Sequence, residues 1–213
     1  MSSTTSPSNH DSFVAAGAPI TFSDHFKLLD QRTLYVDPSG DVELVATLGD
    51  NSKTFCVSSH AMRHASPAWR AMLDSANGFN EASFGEKPVK LHDDDFEALF
   101  IVLLASHLKF LDVPAEVGFD TLIEICVVVD KYDCIGVLSP WLPGWVSHWA
   151  TESHIGENAP EWSFIAWVTG NEEIFCRTTY QILRTCRTND SDKCMNESGD
   201  VLDDFLPPGV SGK

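Results

Sequence analysis

The sequence predicts an α+β fold, and three observations carry that expectation. Apolar residues alternate between Val42 and Val57, and a short run at Pro88 to Leu91 has the same extended character. From Ser58 to Leu73, and again from Asp93 to about Cys186, apolar residues recur at helical spacing instead. Strands gathered toward one end and followed by helical pairs are the pattern of an α+β domain. Hydrophobic residues make up 43% of the 213, enough to build a core. That length allows one full domain with extra helices, or two small units.

Residues 1–18 are rich in Ser, Thr, Asn, Gly and Ala and are expected to be disordered. Ser23 caps a short predicted helix that places Phe26, Leu29 and, at its far end, Leu34 on one face. In Val42–Leu48 the residues Val42, Leu44, Ala46 and Leu48 alternate with more polar neighbours, as in a half-buried strand. Gly49-Asp50-Asn51-Ser52 is a turn cluster, and Lys53–Val57 returns as the second arm of a hairpin. Met62, Ala65, Trp69 and Met72 follow at helical spacing, but Pro67 lacks an N–H and clashes inside a helix. Ser66-Pro67 is therefore read as a cap and first position, splitting the segment into two short helices.

A loop at Ser75–Glu81 leads to the strand Pro88–Leu91. Asp93, Asp94 and Asp95 place negative charge at the start of a long helix, where the macrodipole favours it. Its expected buried stripe is Phe96, Leu99, Phe100, Leu103, Leu104 and Leu108. Pro114 stops any continuation, and Asp120-Thr121 opens a helix with Leu122, Ile125, Cys126 and Val129 facing inward. Leu138, Trp141, Leu142, Trp145 and Trp149 again have helical spacing; Ser139-Pro140 is read as the restart, with Pro143 a local distortion. These tryptophans are expected to pack between their helix and the C-terminal extension. Trp162–Val168 forms a helix stopped by Gly170, and Asn171-Glu172-Glu173 caps another that runs to about Cys186. The remainder is polar and acidic, ending in Pro207-Pro208-Gly209, and is expected to be disordered. The expected division is 1–35, mostly disordered with the short helix; 36–150, the domain; 151–186, a helical extension; and 187–213, an acidic tail.

Thirty-one acidic against 14 basic side chains give a net charge of −17. The excess is −2 over residues 1–39, −9 over 40–150 and −6 over 151–213, so no segment hides a basic stretch. That argues against a sequence-independent grip on nucleic acid and against a polybasic membrane contact. The N-terminus has no apolar core of a secretory signal, and the greasiest run, Phe96–Leu111, is interrupted by Glu97, His107 and Lys109. The six cysteines mostly sit within apolar segments and read as reduced core residues. A soluble intracellular protein of cytoplasm or nucleus is expected.

In that order of elements the chain resembles a BTB/POZ domain, most closely the fungal group that carries a C-terminal helical extension. Val36-Asp37-Pro38-Ser39-Gly40-Asp41-Val42 is similar to the family's approach to its first strand. Phe55–Ser59 with Ala65-Ser66-Pro67-Ala68-Trp69-Arg70-Ala71-Met72-Leu73 resembles its hairpin return and helix pair. Val113-Pro114, Val129-Asp130-Lys131-Tyr132-Asp133-Cys134 and Leu138-Ser139-Pro140-Trp141 resemble its later helices. Residues Trp162 to Thr169 with Glu172, Ile174 and Phe175 resemble the extension. The likeness covers roughly residues 36–186. It implies a small three-stranded sheet capped by helical hairpins, and a protein–protein interaction role as a homo- or heterodimer or as an adaptor to a cullin-3-type ubiquitin ligase. Two positions depart from the dimeric members: Ser58 and Ser59 stand where those carry a His and a basic residue, the latter accompanying the aspartate that matches Asp41. The segment His25–Arg32 resembles their N-terminal interface helix.

Phe79-Asn80-Glu81 stands where cullin-binding members carry a hydrophobic-x-Glu motif. An exposed Phe79 would fill an apolar pocket on a partner helix, with Glu81 at its rim. The alternative is a Phe79 folded over the domain's own core and a solvated Glu81. His60 and His64 are one helical turn apart, a metal-compatible spacing, but no third ligand is placed and no Glu follows His60. No C-x-x-C pair, G-x-S-x-G elbow or phosphate-binding glycine loop is present. The expectation is a non-enzymatic module with no cofactor or metal, acting on protein partners, with no direct nucleic-acid or membrane contact. The alternatives are a self-associating scaffold without a ligase link and, remotely, an undetected hydrolase or metal enzyme around His60 or His64.

Overall fold

The structure is a computed structural model that describes residues 31–74, 88–189, 194, 195, 199, 201, 202 and 206. The expected helix at Ser23–Leu29 and the loop residues Phe79 and Glu81 lie outside the described residues.

Two antiparallel strands, β2 (Val42–Leu48) and β3 (Asn51–Val57), pair from Val42↔Val57 to Leu48↔Asn51. Their alternation buries Val42, Leu44 and Ala46 on one face with Phe55 and Val57. Strand β4 (Val89–His92) adds parallel to β2, with Leu44 opposite Val89. A fourth strand, β1 (Thr33–Tyr35), adds parallel to β3, so the sheet order is β1-β3-β2-β4. The expected sheet had three strands. A three-residue strand is too short to display an alternation, and its pairing to β3 is a tertiary choice that local pattern does not encode. Gly40 precedes β2 where the backbone of Val57 passes. A Cβ there would lie 2.5 Å from the Val57 carbonyl oxygen, so only glycine fits.

Helices α1 (Ser59–Ala65) and α2 (Pro67–Met72) break at Ser66 as the sequence implied. The Ser66 hydroxyl accepts from Trp69 N–H, and Pro67 stands at the start of α2. Helix α3 (Phe96–Ser106) is buried on every side from Ala98 to Ser106, which makes it the central rod of the molecule rather than a one-faced surface helix. Leu108 does not join its buried stripe. The helix stops at Ser106, and Leu108 turns out into solvent.

Helix α4 (Phe119–Lys131) packs on α3, followed by a 3₁₀ turn (Ile135–Leu138) and α5 (Leu142–Trp149). Pro143 causes no distortion, because it occupies the first turn of α5, where no intrahelical N–H is needed; Trp141, not Ser139, is the cap. Helices α6 (Glu152–Glu157), α7 (Ala159–Thr169) and α8 (Glu172–Thr185) complete the body. Gly170, at φ +71°, provides the left-handed turn between α7 and α8, and α7 packs on both α8 and α4. Ile155, Trp162 and Ile165 belong to the same buried cluster as Leu44 and Phe55, so the extension shares the domain's core. Past α8 a small hairpin forms, β5 (Arg187–Thr188) with β6 (Cys194–Met195), in the segment expected to be disordered.

Candidate interaction surface

Three charges at the start of α3 have separate duties. Asp95 caps the helix, its Oδ1 accepting from the N–H groups of Glu97 (3.0 Å) and Ala98 (2.9 Å). Asp93 takes a left-handed φ of +60°, and its N–H donates to the Thr47 carbonyl. Asp94 turns inward with its side chain fully covered. It accepts from the Tyr132 hydroxyl (2.7 Å) and from Lys131 Nζ (2.9 Å), which also donates to the His92 carbonyl. The macrodipole reading thus fits only part of the cluster. A buried carboxylate needs partners, and the Lys131-Tyr132 pair supplies them. The Ser66 hydroxyl donates to the Tyr132 carbonyl, and the Trp69 ring lies 5.2 Å from that of Tyr132. The Ser-Pro helix break and the Asp-Lys-Tyr junction, distant in sequence, are one buried network in space.

The start of α1 is fixed from two sides. Asp41 accepts from the Ser59 N–H and from its hydroxyl, both at 2.7 Å. Burial alone would raise the Asp41 carboxyl, but these bonds, with Arg63 nearby, together outweigh it and hold it below the usual range. On the other side, Ser58 N–H donates to His107 Nε2 at 2.9 Å. An Nε2 that accepts carries no proton, so the proton is on Nδ1, which donates to the Leu103 carbonyl at 2.8 Å. His107 is therefore held neutral, and burial pushes its pKa below the ordinary imidazole value.

Beside this junction runs a groove of about 860 Å³. Ala61, Ala65, Ala105 and Val137 give it apolar walls, and His60, His64 and His107 edge it. The loop leaving α3 forms its lip. Lys109 N–H returns to the Leu104 carbonyl and Leu108 N–H to that of Ala105, a Schellman closure of α3. The left-handed position of that closure, normally glycine, is Leu108 at φ +59°. Leu108 is 74% exposed, Leu111 75% and Phe110 50%. Backbone strain and exposed apolar area coincide on one short loop, which is the arrangement expected of a contact surface. Its sequence signal was the run Leu108-Lys109-Phe110-Leu111. Helical spacing alone places Leu108 on the buried stripe, because nothing in the local pattern marks the stop at Ser106.

The residues singled out in the sequence fall as follows. Phe79 and Glu81 lie in the segment between Asp74 and Pro88, outside the described residues. The flanks of that segment are anchored: Arg63 donates to the Leu73 carbonyl at the end of α2, and Val89 pairs with Leu44. The His60 and His64 rings meet edge to face, centroids 4.6 Å apart, beside Arg63, Arg70 and Asp74. Among the described residues no group of three or more His, Cys, Asp or Glu is arranged to hold a metal ion. The Ser58 hydroxyl caps α1 and that of Ser59 is spent on Asp41, so neither is paired with an imidazole base. No described helix is long and apolar enough to cross a membrane.

The cysteines differ from expectation in part. Cys126 and Cys134 are buried, with burial pushing both thiols up to about 12. Cys56 is half-buried, Cys176 is exposed on α8, and Cys186 and Cys194 are joined. Of the three tryptophans expected against the extension, Trp149 meets its His154, and Trp145 shares a buried cluster with its Ile155, Trp162 and Ile165. Trp145 Nε1–H donates to the carbonyls of Pro114 and Ala115, and Trp141 lies against Phe110. No family model matches the chain, and no curated protein is significantly similar to it.

Proposed function

We propose that this protein is a non-catalytic protein–protein interaction module of the BTB/POZ type, recruiting protein partners as a homo- or heterodimer or as an adaptor to a cullin-3-type ubiquitin ligase. The observation that carries the reading is the Leu108–Leu111 lip beside the apolar groove. An exposed leucine held in a left-handed backbone costs stability that a solvent-facing loop has no need to bear. The order of elements and the sequence resemblance over residues 36–186 support the family assignment. The adaptor arm rests on Phe79-Asn80-Glu81 alone.

Affinity purification of the full chain from its native cell, with mass spectrometry, tests the reading. Leu108→Asp with Leu111→Asp is expected to reduce recovery of specific partners at least tenfold while leaving the melting temperature within a few degrees, since both side chains are already in solvent. Undiminished recovery would remove the lip from the interface. Phe79→Ala with Glu81→Ala separates the two arms: loss of cullin-3 alone supports the adaptor, and an unchanged pull-down refutes it. Size-exclusion chromatography with light scattering reads self-association independently.

A further inference from the structure

Helix α8 ends at Cys186, whose N–H donates to the Ile182 carbonyl at 2.7 Å while its own backbone turns extended. The chain then forms β5, which pairs antiparallel with β6, Arg187 opposite Met195 and Thr188 opposite Cys194. Met195 bridges Val201, and Leu202 N–H donates to the Cys194 carbonyl. Strands β5 and β6 are two residues long, Met195 is only half-buried, and the intervening sequence Asn189-Asp190-Ser191-Asp192-Lys193 has no apolar side chain. A hairpin of that size does not persist in water on its backbone bonds alone. What distinguishes it is the pair Cys186 and Cys194, joined with their Cα atoms 6.0 Å apart, within the range a disulfide spans.

The other four cysteines are not placed to compete. Cys126 and Cys134 are buried with thiols pushed up to about 12, and Cys56 is raised by burial and by Glu43 and Asp37. Cys176 is exposed, but it lies ten residues before Cys186, about 15 Å along the helix axis.

We propose that Cys186 and Cys194 are a reversible thiol–disulfide site whose co-reactant is a low-molecular-weight disulfide of the glutathione class. Oxidation at this site ties the acidic C-terminal segment to the end of α8. One protein thiolate attacks the small disulfide, forming a mixed disulfide and releasing one small thiol. The second protein thiolate then attacks the protein sulfur of that mixed disulfide, closing the Cys186–Cys194 bond and releasing the second small thiol. The two protein thiols are oxidised, the small disulfide is reduced to two thiols, and the two protons pass to the released thiolates. The reverse exchange frees the segment.

The test equilibrates the full chain in mixtures of reduced and oxidised glutathione, quenches by alkylation, and digests with trypsin without reductant. Cleavage after Arg187 and Lys193 puts the two cysteines on separate peptides, so they travel together only when bonded. The linked pair is expected to accumulate with oxidised glutathione, to disappear on reduction, and to be unaffected by Cys176→Ser. Cys194→Ser should divert Cys186 to a stable glutathione adduct. Amide exchange at Thr188 and Met195 should be at least tenfold slower in the oxidised form. Glutathione adducts on both cysteines of the unsubstituted chain, or links between chains, would overturn the site. Equal amide exchange in both redox states would overturn its hold on the segment.

Discussion

His107 is a single side chain whose protonation state is written into its hydrogen bonds. Ser58 N–H occupies Nε2, so a second proton on the ring would face a donor instead of an acceptor. Burial further disfavours the charged form, and the folded-state pKa lies below the usual value. The unfolded chain, with an imidazole near about 6.5, binds that proton more readily. Stability from this group is therefore complete above about pH 6.5 and is lost as pH falls toward the lower folded pKa. Asp41, held below its ordinary value, adds a loss at lower pH, as acid titrates its bonds with Ser59. Urea midpoints measured between pH 7.5 and 5.5 should fall for the parent chain. They should fall less steeply for His107→Gln, which lacks the titrating ring; equal slopes would refute the assignment. None of this was legible in the sequence, where His107 appeared only as an interruption in an apolar run. Its role depends on Ser58, and no local pattern connects those positions.

Between elements, the Asp94 network joins the end of β4, the start of α2 and the end of α4. Removing the carboxylate leaves the Tyr132 hydroxyl without its acceptor and Lys131 without its ion pair. Asp94→Ala is expected to cost about 3 kcal/mol, at the lower edge for a buried pair because Lys131 is partly solvated. Tyr132→Phe should cost about 1.5 kcal/mol, for one bond to a charged group. The double variant should fall short of their sum, because both lose the same contact. Denaturant unfolding of the three variants reads all of these, and strict additivity would show that the two groups are not coupled. Helices and their boundaries were largely legible, because Ser66-Pro67, Gly170 and Asn171 act on their immediate neighbours. Asp94 was not, since three adjacent aspartates look alike until packing assigns each a direction.

Across the whole molecule, the hinge between the body and the extension is an aromatic joint. Phe119 lies within 6.0 Å, centroid to centroid, of Trp149, His154 and Trp162, and Trp162 Nε1–H donates to His154 Nδ1. Trp149 Nε1–H is satisfied by the Val117 carbonyl. Trp162→Ala should cost about 4 kcal/mol and destabilise the sheet as well as the extension, because both belong to one buried cluster. Native-state hydrogen exchange would report this as loss of protection in β2 and β3; loss confined to α6–α8 would mean that the extension unfolds separately. The sequence marked where these aromatics occur but not their partners, since a tryptophan at helical spacing can face any neighbour. The joint also makes the chain its own optical probe. Trp149 belongs to the body and His154 and Trp162 to the extension, so any event that lifts the extension would part Trp149 from His154 and Trp162 from Phe119, and expose both indoles to water. Their emission would then shift to longer wavelength, and partner engagement could be followed in the unlabelled protein.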